Sequence, residues 1–226
     1  MTLLPSLTST KKDRIGPFLE ALGRTGVRTM ALFPTTLTPE ERRRLYADLE
    51  RIDGLRIPHV HLRSDCDDAE IGYLVWRFGT EVFNVHPAAS GTAYVPESSR
   101  WLKRIFLENA DVLPKADQLK AYAGVCPDFS HWEAARRAGD PAYQGFDALV
   151  RRFPARCCHI SAIREGDPNP WNGRTDHHHF TEPSDLDYLL GYREFLPPDW
   201  ASLELENPLE EQLAAAARLS ALLTRE

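Results

Sequence analysis

The eight histidines of the chain fall in a few short clusters, and each cluster sits where a predicted β-strand ends. They read IPHVHLRSD (His59, His61), FNVHP (His86), GVCPDFSHW (His131), CCHISAI (His159) and GRTDHHHF (His177, His178, His179). Two further strand ends carry carboxylates, IFLENA with Glu108 and SLELENP with Glu204 and Glu206. Asp128 stands three residues before His131, and Asp176 opens the triple-histidine run. Histidines scattered over a surface would not select strand ends. Imidazoles and carboxylates gathered on one rim form a donor set for a divalent metal such as Zn, Mn, Mg or Co, rather than for a soft thiolate metal.

Side chains so far apart in sequence can meet only if the elements between them bring the strand ends together. Short apolar runs alternate with amphipathic segments along the whole chain. The predicted strands are LLPSLTS, RTMALFPT, RIPHVHL, EVFNVH, RIFLEN, GVCPDF, RCCHISAI and WASLELEN. Helices are predicted over Ile15 to Thr25, from Thr38 to about Ile52, over Asp65 to Phe78, over Lys115 to Tyr122, and over Trp132 to Phe153 with a break at 139–141. A further helix is predicted from a Ser184 cap, and LEEQLAAAARLSALLTRE closes the chain. Thr38-Pro-Glu-Glu is a capping box, with Pro39 at the first helical position and Glu41 at the third. The segment Ala88 to Ser99 reads as a loop leading into a short helix. Eight strands in regular βα alternation specify a compact α/β (β/α)8 barrel, one domain spanning residues 1–226. An open doubly wound sheet fits less well, because no glycine-rich phosphate turn follows the first strand. In such barrels chemistry occurs at the C-terminal strand ends, where every cluster above falls.

Composition narrows the partners. A hydrophobic fraction of 42% supports a packed core. The net charge of −6 leaves no basic surface for nucleic acid. The four cysteines, Cys66, Cys126, Cys157 and Cys158, show neither zinc-finger spacing nor a disulfide framework. Cys157 and Cys158 are adjacent on one strand and are expected on opposite faces. The N-terminal run MTLLPSLTSTKKDR lacks the basic start and long apolar stretch of a signal peptide. No segment approaches the roughly 18 apolar residues of a membrane span. The expectation is a cytoplasmic protein acting on a small molecule.

The segments FNVHP, FLENA, GVCPDFSH, GRTDHH and LELENP, in that order, resemble the metal-binding segments of the xylose-isomerase-like TIM barrels. This superfamily includes sugar isomerases and epimerases and endonuclease IV, and the segments are most similar to the endonuclease IV branch. The resemblance covers nearly the whole barrel. It implies metal ligands at His61, His86, Glu108, Asp128, His131, His159, Asp176, His178 and Glu206. Two departures stand out. DNA-binding members carry extended basic loops on the rim, whereas this chain is acidic and reads LRSDCDD after His61. The usual glycine-rich stretch after the D-x-H segment is replaced by HHHFTEPSD.

Glu108, Asp128, His159 and Glu206 form the expected core of the site. His86, Asp176 and His178 either complete a second or third metal position or serve the substrate. Of the pair on one strand face, His61 is preferred over His59 because it lies nearer the strand end. Glu204 sits deeper than Glu206, where it would pair with a buried base. His131, Arg164 and Trp171 are expected to bind substrate, and Trp132 belongs either to the pocket or to the core.

Two chemistries compete. A sugar or sugar-phosphate isomerase or epimerase would hold an open-chain sugar on the metal, stabilise the enediolate, and shuttle a proton through Glu108 and Glu206 as catalytic residues. Surface charge and short loops favour this reading. The alternative is an endonuclease IV-like phosphodiester hydrolase with several metals, which uses the full ligand set better. Either reading expects Glu206→Gln to stop turnover.

Overall fold

The computed structural model describes residues 1–87, 99–110, 112–170 and 173–224. The first stave of the barrel is made in two pieces, β1 (Thr2–Leu4) and β2 (Ser6–Thr8). Pro5 separates them because it has no N–H to give to a ladder. Its carbonyl still accepts from the Ala31 amide at 2.9 Å, so the stave continues through the break. The other strands are β3 (Thr29–Phe33), β4 (Arg56–His61), β5 (Val82–Val85), β6 (Ile105–Glu108), β7 (Gly124–Cys126), β8 (Cys157–Ile160), β9 (Ala162–Ile163), β10 (Asp176–His177) and β11 (Trp200–Leu203). β9 and β10 form a small antiparallel ribbon above the rim.

Parallel pairing runs β2-β3-β4-β5-β6-β7 on one side and β1-β11-β8 on the other. Between β7 and β8 the link is a parallel bridge, Asp128 to His159, with the His159 amide on the Pro127 carbonyl at 3.0 Å. These pairings connect all eight staves in the order expected of a TIM barrel.

The helices are α1 (Ile15–Thr25), α2 (Pro39–Leu49), α3 (Asp68–Phe78), α4 (Ala116–Ala121), α5 (Phe129–Ala138), α6 (Phe146–Arg152) and α7 (Leu209–Leu223). The Thr38 capping box forms as read: the Glu41 amide donates to Thr38 Oγ1 at 3.3 Å, and the Thr38 amide to Glu41 Oε2 at 2.8 Å. The helix expected at Trp132 begins earlier, at Phe129, because Asp128 caps it. It ends at Gly139, whose φ of 66° turns the chain out of the helix. The segment expected as a helix from Ser184 is a run of 3₁₀ turns over Pro183–Phe195. There the Asp185 carboxylate takes the Thr181 and Glu182 amides at 2.8 and 3.1 Å. The loop expected before the fifth stave falls on 88–98, outside the described residues, and the short helix expected after it is a 3₁₀ turn over Leu102–Arg104. Among the described residues, no helix is long and apolar enough to cross a membrane.

The barrel interior explains where the chemistry lies. Val82, Phe106, Cys126 and Cys157 pack as one buried layer. Side chains on a strand alternate with period two. The next inward residues on those staves are therefore Asn84, Glu108, Asp128 and His159, and each of these is buried. Cys158 packs in the separate cluster between strands and helices, so the two neighbouring cysteines do face opposite ways.

β7 opens on Gly124 at φ 148°, and a Cβ there would lie 2.0 Å from the Pro154 carbonyl oxygen. That carbonyl accepts from the Val125 amide at 2.9 Å, so the β7–β8 seam cannot open to make room. Gly124→Ala is expected to lower stability by about 2–3 kcal/mol. Thermal unfolding measures this, and an unchanged midpoint would refute it.

Candidate metal centre

Glu108 is the last residue of β6 and is 2% exposed. Around it converge side chains from five other staves. Its Oε2 lies 3.1 Å from His61 Nε2 and 3.4 Å from His159 Nδ1, and its Oε1 lies 3.7 Å from His86 Nε2. His159 Nδ1 is also 3.2 Å from Glu204 Oε2 and 3.9 Å from Asp128 Oδ2. Ligand atoms of Glu108, Asp128, His159 and Glu204 all fall within 4.8 Å of one another. So do those of His61, His86 and Glu108. Glu108 belongs to both groups.

A third set stands beside them. His131, on the first turn of α5, places Nδ1 3.1 Å from Asp176 Oδ2 and Nε2 3.8 Å from Asp128 Oδ2. His178 Nε2 lies 3.9 Å from Glu204 Oε1. Asp128 is held by its neighbours: the Ser130 hydroxyl and the His131 amide donate to Oδ1 at 2.5 and 2.9 Å, and the Asp128 amide donates to Asn109 Oδ1 at 2.7 Å. Its other oxygen, Oδ2, is left facing the cluster.

The electrostatics call for positive charge. Burial pushes the Glu108 carboxyl up, but His159 and His86 beside it hold it well below the usual carboxylate range. Burial likewise pushes Glu204 up, and His178 and His159 bring it down to about 2. The imidazoles move the other way. Burial pushes His159 down, yet Glu108 and Glu204 raise it well above its ordinary value. Against the same burial, Asp128 and Asp176 lift His131 to about 10.

A metal fits this set. Asp128 Oδ2, His131 Nδ1 and both ring nitrogens of His159 are buried without a hydrogen-bond partner. Buried polar atoms are ordinarily bonded. Nitrogens that stand 3.2–3.9 Å from carboxylate oxygens without hydrogen-bond geometry are arranged as ligands around a common cation. Imidazole and carboxylate donors suit Zn, Mn, Co or Mg.

The cluster floors a bowl of about 750 Å³. His61, His86, Glu108, His131, Asp176, His178, Glu204 and Glu206 line it, so the geometry brings most of the sequence-predicted residues together. Glu206 does not join the cluster. Its carboxylate takes the Lys11 ammonium at 2.7 Å and the Thr10 hydroxyl at 2.7 Å on the wall of the bowl. The reason is where β11 stops: Leu203 is its last paired residue, so Glu204 is the side chain that drops onto His159. Arg164 lines the bowl with its guanidinium on Asp167. Trp132 is core, packed against Phe146, Tyr192 and Phe195. Trp171 lies outside the described residues. His177 bonds the Asp167 carbonyl at 2.7 Å, and His179 edges Phe180. Sequence reasoning missed Asn84, which donates to Glu108 Oε2 at 2.6 Å. Parity with His86, two residues on, marked Asn84 as sharing that strand face, but nothing marked its chemistry. It also missed the bowl-lining Thr10, Lys11, Thr35, Thr36 and Asn169.

No protein-family model and no curated protein matches the chain. Solved structures do. SacUVDE matches over 98% of this chain and 99% of its own, with a TM-score of 0.53 and 13% identity. A xylose isomerase-like TIM barrel/4-hydroxyphenylpyruvate dioxygenase fusion protein matches 98% of this chain with 42% of its own, at TM-score 0.48 and 16% identity. A xylose isomerase domain protein from Planctomyces limnophilus matches 98% and 94%, at TM-score 0.46 and 12% identity. The likeness to SacUVDE, at 13% identity, is likeness of fold.

Proposed function

We propose that this TIM barrel is of the xylose-isomerase-like kind and, from its strand-end cluster, that it is a hydrolase of small phosphoesters working with two or more divalent metals. The observation that carries this reading is Glu108. One buried carboxylate belongs to two ligand groups, with His61 and His86 on one side and Asp128, His159 and Glu204 on the other. A carboxylate common to two ligand groups would help hold two cations, whose charge would stabilise the attacking and leaving oxygens of a displacement at phosphorus. His131 and Asp176, with His178 nearby, supply donors for a further position. Divalent metals in such a site offer Lewis-acid charge to phosphoryl oxygens and lower the pKa of bound water.

The remaining residues act on the substrate directly. Lys11 and Arg164 place cationic groups on the wall of the bowl, and Thr10, Thr35 and Thr36 add polar groups. They suit an anionic ligand of modest size. The net charge of −6 argues against a long nucleic acid, whose binding draws on phosphate neutralisation along a basic surface. The floor is buried, since Glu108, Asp128 and His159 are at most 2% exposed.

A second reading keeps one observation in its favour. Glu108, Asp128, His159 and Glu204 by themselves make a complete one-metal set, which is what a sugar isomerase or epimerase needs. Metal content per chain separates the two, measured by elemental analysis on the wild type and on Asp176→Ala/His178→Ala. Two or three equivalents, falling in the variant, is the expected result. One equivalent, unchanged in the variant, would overturn the hydrolase reading in favour of the isomerase.

A further inference from the structure

Below Glu108 lies a buried polar chain that the ligand set does not use. Asn84 Nδ2 stands 2.6 Å from Glu108 Oε2. Asn84 Oδ1 stands 3.0 Å from His59 Nε2, and His59 Nδ1 stands 2.7 Å from Ser202 Oγ. Asn84, His59 and Ser202 are each 0% exposed. They come from β5, β4 and β11, so the chain crosses the barrel beneath the site.

The proton directions in this chain are fixed by its upper end. An ionised carboxylate only accepts, so Asn84 must donate to Glu108 through its NH₂ and present its carbonyl to His59. A carbonyl accepts, so His59 must carry its proton on Nε2. Ser202 Oγ, which can donate or accept, closes the chain at Nδ1. Every buried polar group is satisfied in this direction. Reversing either of the two upper bonds, Asn84 to Glu108 or His59 to Asn84, would set two donors or two acceptors face to face.

We propose that Asn84 is the positioning residue of Glu108, held by a relay from Ser202 through His59. The proposal rests on the shared-carboxylate reading of Glu108 given above. The relay pins Glu108 Oε2 between Asn84, His61 and His159 and turns Oε1 toward His86. A carboxylate so fixed can serve both ligand groups at once. Free to rotate, it would serve one at the expense of the other. Groups that orient a metal ligand commonly contribute about 10–100-fold in metal affinity or activity.

The test uses the full-length protein loaded with metal, with ¹⁵N-labelled histidine and a chromogenic aryl phosphodiester as substrate. In wild type, long-range ¹H–¹⁵N spectra should show His59 as the Nε2–H tautomer. Ser202→Ala should leave that tautomer in place, because the direction is set from the Glu108 end. Asn84→Leu, of similar volume, should release the tautomer, weaken metal binding by about 10–100-fold, and lower kcat with little change in KM. An Nδ1–H tautomer in wild type, its loss in Ser202→Ala, or wild-type metal affinity in Asn84→Leu would each overturn the proposal. The first two readings stand even if Asn84→Leu fails to fold. The tautomer also separates this proposal from the function it rests on: a wild type that binds fewer than two metals removes the hydrolase reading, whereas the His59 spectra test the relay itself.

Discussion

Glu108→Gln is expected to strip the protein of the cations shared by its two ligand groups and to lower phosphoester turnover by at least about 10³-fold, beyond the loss from a single preorganised group. The side chain keeps its shape, so the fold should persist. What changes is charge and lone-pair direction. Glu108 is the carboxylate that meets His61, His86 and His159 together. An amide in its place turns a donor toward imidazole nitrogens or toward Asn84 Nδ2, and leaves His159 with only Glu204 and Asp128. Metal per chain should fall by more than one equivalent, since neither group is complete without this residue. Elemental analysis and initial rates check both halves of the expectation, with circular dichroism as the control for folding. Turnover within tenfold of wild type, with metal retained, would remove Glu108 from the centre of the site.

The barrel was legible in the sequence because its staves are short apolar runs at even spacing, each closed by residues no core would choose. CCHISAI is the clearest case. Cys157 and His159 share an inward face by period two, Cys158 faces the helices, and the structure keeps that alternation. GVCPDF works in the same way, with Cys126 in the apolar layer and Asp128 above it. The unread parts have physical causes. Pro5 divides the first stave without ending it, because a carbonyl can pair where an amide is absent. The segment after Ser184 has helical spacing of its leucines but forms 3₁₀ turns, with the Asp185 carboxylate accepting from the Thr181 and Glu182 amides at its start. Asn84 escaped notice because an amide inside a strand carries no chemical signature of its own. Only its position between His59 and Glu108 gives it a role.

The sharpest contrast concerns two glutamates two residues apart. Glu204→Gln is expected to lower turnover by about 10²–10³-fold, while Glu206→Gln should stay within about fivefold of wild type. In LELENP both carboxylates share a strand face by parity, and the outer one looks nearer the rim. The strand ends sooner than parity suggests. After Leu203 the Glu204 amide still bonds the Ile160 carbonyl at 2.9 Å, which turns its side chain onto His159. The Glu206 amide instead bonds the His178 carbonyl, and its carboxylate swings to Lys11 and Thr10. Glu204 is thus a buried partner of His159 at 3.2 Å and of His178 at 3.9 Å, and losing its charge takes one donor from the group it forms with Glu108, Asp128 and His159. Glu206 pairs with a lysine whose side chain is 53% exposed, and such pairs contribute about 0–1 kcal/mol. Rates and metal content on the two variants decide the matter. An inactive Glu206→Gln beside an active Glu204→Gln would return the ligand role to Glu206.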